Sequence, residues 1–565
     1  MQISEKFKGR TIWVKNIEYP IDRCFEGILC SGSSGSGKTL THINPIALGF
    51  AAYPINPDQK SAIFYQNIKG TGALELEKKI TCLRTKDVRI VDRGGKLGIS
   101  LFNRSSYPDL DSCANEVGGF LEELLLQSTD SFGSTGKDTQ FWTTQRMNII
   151  SVLSRLSLPI KKEQTSIIRE MTHPSHLVAT AYRMRYFFQY ISLLKRMGVE
   201  EKTGHLNSRP PSLKTELRRL IYSSGLSLQD LEDANIRVEP VMPFAIGDPE
   251  ELEDFYFKNL GHYTAQRYLN SIEEVDVKEN NISILKHEPL YQLFDRLDNA
   301  SREALERLIQ QYRDLTDVTY SCVESDLKGL IQTILEGPLK KILLAPKTVS
   351  LEEVIHKGLI LIIDFPGAIA GPERIAMLAI KLALRTKILQ RLTLLFEGEA
   401  LNTERPILWV LDEGHSLVVR GNNDDSLFLS QCREVACCML FGVQNLSLLA
   451  SSIRDPMRFE SFLGNMKNRI ICGNSDQLTN HVSSVFVGNK RGSVSETLWQ
   501  SNAYLERLLK ESGSTEVSCV EPNQFLRLAT GQAYVVLATG KTLYLDARNH
   551  LPEPIVRALV DPEQP

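Results

Sequence analysis

No apolar run in this chain approaches the ~20 residues needed to cross a bilayer. The continuous runs are short, such as Leu359 to Ile363 and Val435 to Phe441. The opening Met-Gln-Ile-Ser-Glu-Lys lacks a signal-peptide core. A cytoplasmic location is therefore expected. The ten cysteines form no C-x-x-C pair and no metal-ligand spacing with histidine; Cys437 and Cys438 are merely adjacent. So scattered a set in a long chain implies free thiols in a reducing compartment. A net charge of −3 carries no global basic signature. Any nucleic-acid contact must then be local, or made by a ring of subunits that concentrates its basic residues. Solenoid repeats and low-complexity tracts are also missing.

What is present is an ordinary globular composition, 42% hydrophobic and 24% charged. A length of 565 residues exceeds a single core, so roughly two to four domains are expected. The most informative stretch is Gly32-Ser33-Ser34-Gly35-Ser36-Gly37-Lys38-Thr39, which fits G-x-x-x-x-G-K-[ST] with an extra glycine at Gly35. An apolar segment, Gly27 to Cys30, precedes it, and from Leu40 the chain can wind as a helix. That strand–loop–helix context is what a phosphate cradle requires. Glycines let the backbone turn tightly and aim N–H groups inward, and the helix start adds partial positive charge. In this reading residues 32–40 bind a nucleotide, Lys38 reaches the β- and γ-phosphates, and the Thr39 hydroxyl is a Mg²⁺ ligand. ATP and Mg²⁺ are the expected cofactors.

Around the loop the pattern is α/β. Strands are expected at Thr11–Val14, Ile28–Cys30, Ser61–Tyr65 and Val88–Val91, the last leading to Leu101–Asn103. From about residue 145 to 335 helical periodicity takes over, with loops at Pro210-Pro211 and in the Pro240 to Pro249 region. The α/β pattern then resumes at Leu359 to Asp364, an unbroken apolar run typical of a buried parallel strand. A helix is expected from about Arg374 to Leu395, with later strands at Pro406–Leu411, Cys438–Val443, Arg469–Cys472 and Ala533–Leu537. The expected domains are a nucleotide-binding domain over 1–144 and 336–550, an all-α insertion over 145–335, and a tail over 551–565. A mostly parallel sheet follows from strands alternating with helices.

The run Ile407 to Leu411 ends in Asp412-Glu413. Beside a phosphate loop, Asp412 would hold the Mg²⁺ that bridges the β- and γ-phosphates. Glu413 would orient and deprotonate the attacking water. Asp364 also ends an apolar strand but is followed by Phe365-Pro366 and lacks a second acid, so a structural role is expected for it.

With these residues in hand, the sequence resembles the type IV secretion coupling ATPases, the TraG/TraD branch of the FtsK/HerA superfamily. Asn67-Ile68-Lys69-Gly70-Thr71 keeps the Lys-Gly of a family motif without its acids, and Phe102-Asn103 matches an Asn-Pro segment with Arg104 in place of the proline. Gly136 to Trp142 looks like the family's entry into its all-α domain. Cys432-Arg433, Gly442 to Asn445, Gly464-Asn465, Cys472 to Asn474, Thr479, Ser483 and Gly531 to Ala533 follow in the family's order. The resemblance implies a RecA-like P-loop NTPase domain with an inserted all-α domain, which suits a separation of 373 positions (412 − 39) between the nucleotide motifs. It implies a homo-hexamer with ATP sites at subunit boundaries, Arg433 as the arginine reaching a neighbour's γ-phosphate, and Gln444 as a polar sensor of hydrolysis.

The family's transmembrane anchor has no counterpart here. Either a membrane-anchoring or secretion-channel partner recruits the chain to the inner membrane, or it serves a mobile-element or defence system. A DNA translocase stimulated by single- or double-stranded DNA is ranked first. The alternatives are a recruitment module whose all-α domain binds a relaxase or effector protein, and a motor working with a nuclease partner. Basic pairs that could line a DNA path are Lys195-Arg196, Arg218-Arg219, Lys340-Lys341 and Lys490-Arg491.

Overall fold

A computed structural model describes residues 3–14, 17–53, 58–68, 71–129, 139–156, 166–202, 290, 296–368, 370–421, 423–487, 489–491, 516–518, 520–546 and 557–558. The chain divides into two compact units. The first comprises residues 1–139, 174–177 and 329–565, and the second 140–173 and 178–328.

The first unit is built on a nine-stranded sheet. In chain order its strands are β1 (Ile28–Ser31), β2 (Ala62–Asn67), β3 (Val88–Asp92), β4 (Ile360–Asp364), β5 (Ile407–Leu411), β6 (Cys437–Val443), β7 (Asn468–Cys472), β8 (Gln532–Val536) and β9 (Thr542–Asp546). Across the sheet they run β9-β8-β7-β1-β6-β5-β2-β4-β3. The seven from β7 to β3 are parallel, and β8 and β9 extend one edge in antiparallel fashion. The expected α/β class with a mostly parallel sheet is therefore what the chain adopts. β5 and β6 are buried at every position. That explains why both read as unbroken apolar runs rather than alternating ones.

Alternate residues of each strand face opposite layers. Leu408 and Val410 of β5 join Cys30, Leu440 and Ile470 in a core under the helix Asn44–Ala52, which supplies Ile46, Ala47 and Phe50. On the other face Trp409 is fully buried, donates to Gln66 Oε1 at 3.0 Å, and meets Phe428 edge-on at 5.3 Å. The helix Gly371–Leu389 covers this face, with Met377 O accepting from Gln66 Nε2 at 3.2 Å. It starts three residues before the expected Arg374 and stops six short of Leu395. The end is set by Arg391, fully buried, whose guanidinium donates to the carbonyls of Val435, Asn402 and Arg405. Reaching all three takes the chain out of the helix.

The second unit is helical: Thr139–Arg155, Ser166–Met171, His176–Lys202, Asn299–Arg313 and Asp317 onward to Lys328. Phe187 packs edge-on against Tyr312 at 5.7 Å, and Tyr312 donates to Gln145 O at 2.6 Å. Lys195 is spent inside this unit. It donates to Leu315 O and Asp317 Oδ1, and lies 5.3 Å from the Tyr320 ring centre. Its ammonium is thus engaged in contacts within this unit. Residues 174–177 stay with the first unit because Ser175 Oγ donates to Leu101 O at 2.9 Å and His176 N to Phe102 O at 3.0 Å. The loops at Pro210-Pro211 and Pro240 to Pro249, with Arg218-Arg219, lie outside the described residues.

Trp409 fills the space between β5 and the helix layer, so Trp409→Ala removes a large side chain and takes the donor from the Gln66 amide oxygen. It should destabilise the protein by about 3–5 kcal/mol, read as a lowered denaturant midpoint. An unchanged midpoint would contradict this packing.

Candidate functional site

Ligands of open α/β sheets gather at the carboxyl ends of the strands. Here β1 ends at Ser31, β6 at Val443 and β5 at Leu411, so the phosphate loop, Gln444 and Asp412-Glu413 emerge side by side. β6 lies between the phosphate-loop strand and the acid strand. Sequence separation is thus converted into neighbourhood by a single intervening strand.

The loop closes through its own backbone and through β7. Ser36 N donates to Ser33 O at 3.1 Å, and Ser33 N donates to Gly473 O at 2.9 Å. Gly37 sits at φ 93°, a left-handed conformation that a side chain would strain, and passes the chain into the following helix. That helix opens with a π-type turn over Lys38–Ile43, in which Asn44 N reaches Thr39 O, and continues as Asn44–Ala52. Lys38 is 4% exposed, and its ammonium donates to the carbonyls of Gly32 and Ser33. It is curled within the loop's own mouth, the position from which it can turn to an incoming anion.

Across the strand ends the Thr39 hydroxyl donates to Asp412 Oδ2 at 2.9 Å. The two residues expected to share a cation are therefore in direct contact. Asp412 is 2% exposed and packs over Gly442, where a Cβ would stand 3.1 Å from Asp412 Oδ1 and 2.9 Å from Ile43 Cδ1. Only glycine at this point of β6 leaves the carboxylate room. A hydroxyl and a carboxylate oxygen beside a helix start suit a hard divalent cation, and the loop's geometry suits the phosphates it would bridge. The residues fit Mg²⁺ and a nucleotide; Thr39 and Asp412 would hold the ion, which neutralises phosphate charge when bound.

Glu413 is 4% exposed and adopts φ 60°, ψ 41°, left-handed for a non-glycine residue. Such backbone costs of order 1–3 kcal/mol and persists where surroundings enforce it. The enforcement is visible in the next turn, Gly414–Leu417. Arg374 Nε donates to Ser416 O at 2.7 Å, and Lys381 Nζ donates to Leu417 O at 2.7 Å. Lys381 is fully buried and pairs with Asp425 at 2.7 Å. Gly414 lies against the Phe441 ring, whose carbons would stand 2.5–2.7 Å from a Cβ there. His415 Nδ1 is 3.5 Å from Glu413 Oε2.

Gln444 follows Val443 directly, half-buried, and its carbonyl accepts from Asn474 Nδ2 at 2.8 Å. Asn474 also accepts from the Ser33 hydroxyl at 3.3 Å, linking the phosphate loop to the end of β6. This connection had no local sequence signal beyond the position of Gly473-Asn474 in the family order. Arg433 lies elsewhere. It follows the helix Asp425–Cys432, ahead of β6, with its guanidinium 3.5 Å from Glu26, ahead of β1. That is the amino-terminal edge of the sheet, away from this chain's own loop. Its expected role is toward a neighbouring subunit. Asp364 accepts from Asn67 Nδ2 at 2.7 Å on the far side of β2. Burial raises its carboxyl above the ordinary value, against the Asn67 hydrogen bond and with Asp92 adding to the rise. It makes no contact with Thr39 and serves the sheet. Lys69-Gly70 and Gly136 to Asp138 lie outside the described residues.

No family model matches the chain, and neither does any curated protein. Solved structures do. The unbound bacterial conjugative coupling protein TrwBΔN70 is 13% identical with a TM-score of 0.45, over 96% of this chain and 90% of that one. TrwB in complex with ADP and Mg²⁺ is 12% identical with a TM-score of 0.40, over 95% and 88%. VirB4 of Thermoanaerobacter pseudethanolicus is 10% identical with a TM-score of 0.37, over 95% and 96%. Function is read from the site itself. Among the described residues no helix is long and apolar enough to cross a membrane.

If Gly442 makes room for Asp412, then Gly442→Ala should weaken Mg²⁺-dependent ATP binding by about tenfold or more, since displacements near 1 Å cost on that scale. Titration calorimetry with and without Mg²⁺ reads this. An affinity equal to wild type would show that the carboxylate is not so constrained.

Proposed function

We propose that the chain is an ATP-hydrolysing motor of the coupling-ATPase kind, moving DNA or nucleoprotein in conjugation or type IV secretion. The observation that carries the reading is the Thr39–Asp412 hydrogen bond, which joins the two halves of a magnesium–nucleotide site across 373 positions. Lys38 turns from the Gly32 and Ser33 carbonyls to the β- and γ-phosphates. Thr39 and Asp412 hold the cation. Glu413 orients water in line with the γ-phosphate and takes its proton, and its buried, pinned backbone limits the reorganisation needed at that moment. Gln444, at the end of the intervening strand, senses whether the γ-phosphate is present and passes the signal through Asn474 to the loop.

Arg433 completes the reading in an assembly. Half-exposed at the amino-terminal edge of the sheet, it is free of its own site's geometry and available to a neighbour in a ring, with Glu26 as its resting partner. A finger of this type raises turnover by about 10³–10⁵. DNA as the substrate, the hexamer and a membrane-anchoring partner rest on the family resemblance.

The test is steady-state ATPase activity with and without single- and double-stranded DNA at several salt concentrations. Wild type should be stimulated by DNA, with stimulation falling as salt rises. Glu413→Gln should lose about 10²–10⁴ of turnover while still binding ATP, and Lys38→Ala should lose binding. Arg433→Ala should lose turnover and recover part of it when mixed with Glu413→Gln subunits that supply the arginine. Turnover indifferent to DNA would remove the translocase reading, and full activity in Glu413→Gln would remove the hydrolytic assignment.

A further inference from the structure

The segment after the helix Pro522–Leu526 is not used by the reading above, yet it is bonded to the phosphate loop. Thr530 Oγ1 donates to Gly35 O at 3.1 Å, and Gly531 N donates to Ser36 O at 3.0 Å. Gly531 N would stand 3.1 Å from a Cβ on Gly37, the residue that opens the phosphate-binding helix. Leu528 O would stand 2.6 Å from a Cβ on Gly473, the residue whose carbonyl holds Ser33. Residues 528–531 therefore wall the loop on the side away from Asp412.

Immediately beyond this wall is a shallow, open depression of about 370 Å³, lined by Gln524, Arg527, Leu528, Gln532, Tyr534 and Tyr544. Gln532 starts β8 next to Gly531 and faces Asp546 of β9, so the depression shares the strand edge with the loop. Tyr534 and Tyr544 meet edge-on at 5.4 Å, and Phe525 backs Tyr534 at 5.6 Å. The Tyr544 ring is held at one edge and remains 53% exposed. Arg527 is exposed at the rim. The Gln532 amide is engaged by Asp546 and Ala529 N, and a half-open aromatic face, a planar guanidinium and the exposed Gln524 amide form the chemistry that stacks on and hydrogen-bonds a nucleobase.

We propose that this depression receives the purine base of the nucleotide whose phosphates occupy the loop, with Tyr544 and Arg527 as its platform. The inference rests on the nucleotide reading of the site. It adds a base subsite built by the antiparallel extension of the sheet. The phosphates would be gripped by β1 and its helix, and the base by residues more than 480 positions later in the chain, so that binding one nucleotide ties β8 and β9 to the loop.

The experiment compares Kd values of the full chain for Mg²⁺-ATP and for Mg²⁺-tripolyphosphate, which offers the same phosphates without a base. Wild type should prefer ATP, and Tyr544→Ala and Arg527→Gln should each weaken ATP by about 5- to 100-fold while leaving tripolyphosphate unchanged. Tyr544→Phe keeps the ring and should restore ATP affinity. ATP affinity unchanged in both substitutions overturns the base subsite. A Tyr544→Ala chain that binds ATP normally but loses affinity for a (dT)20 oligonucleotide also overturns it, assigning the depression to a strand's base instead. Wild type that binds neither ATP nor tripolyphosphate, with Lys38→Ala indistinguishable from it, overturns the nucleotide reading itself and the subsite with it.

Discussion

One hydrogen bond organises this molecule: the Thr39 hydroxyl on the Asp412 carboxylate, 2.9 Å long, at the carboxyl ends of parallel strands. Everything around it serves to bring those two side chains together and keep them there. β6 spaces their strands by one position, Gly442 in that strand leaves the carboxylate its room, and Gly37 turns the loop so that Thr39 faces inward. A buried Asp412 carboxylate facing a half-buried hydroxyl is an unusual feature for a merely structural sheet. A hydroxyl and a carboxylate at the start of a helix make sense where phosphate and a divalent cation arrive.

The acid after Asp412 shows how strain is held rather than relaxed. Glu413 in a left-handed conformation would relax to ordinary backbone if the turn beyond it were loose. Two cations from one helix prevent that, Arg374 at Ser416 and Lys381 at Leu417. Burying Lys381 is costly in isolation, and Asp425 compensates by pairing with it and accepting from Val419 N at 3.1 Å. Desolvation still pulls the Lys381 ammonium below its ordinary value, with Asp425 opposing the shift. The helix layer thus fixes the backbone of the turn after Glu413 and is not only a cover for the sheet.

The parts legible in the sequence were those encoded locally. Gly32 to Thr39 carries its geometry in its own glycines, and Ile407 to Glu413 declares a buried strand ending in acids. The strands and the parallel sheet followed from apolar runs of the right length. What was hidden depends on pairing between distant segments. Nothing near Thr530 announces that it closes on Gly35, and nothing near Ser175 announces that it returns to Leu101. Charge was legible as composition but its contacts were not: the Lys195 ammonium bonds Leu315 O and Asp317, more than a hundred positions away. Just beyond the end of the helix Gly371–Leu389, the buried Arg391 guanidinium likewise bonds carbonyls of two distant segments, Val435 and the stretch Asn402 to Arg405.

The most direct test of the central contact is electron paramagnetic resonance of Mn²⁺ added with a non-hydrolysable ATP analogue. One tightly bound Mn²⁺ per chain is expected, lost in Asp412→Asn and in Thr39→Val, while the analogue still binds through Lys38. Retention of that Mn²⁺ signal in both variants would mean that Thr39 and Asp412 are not its ligands, and the site would have to be drawn around other residues.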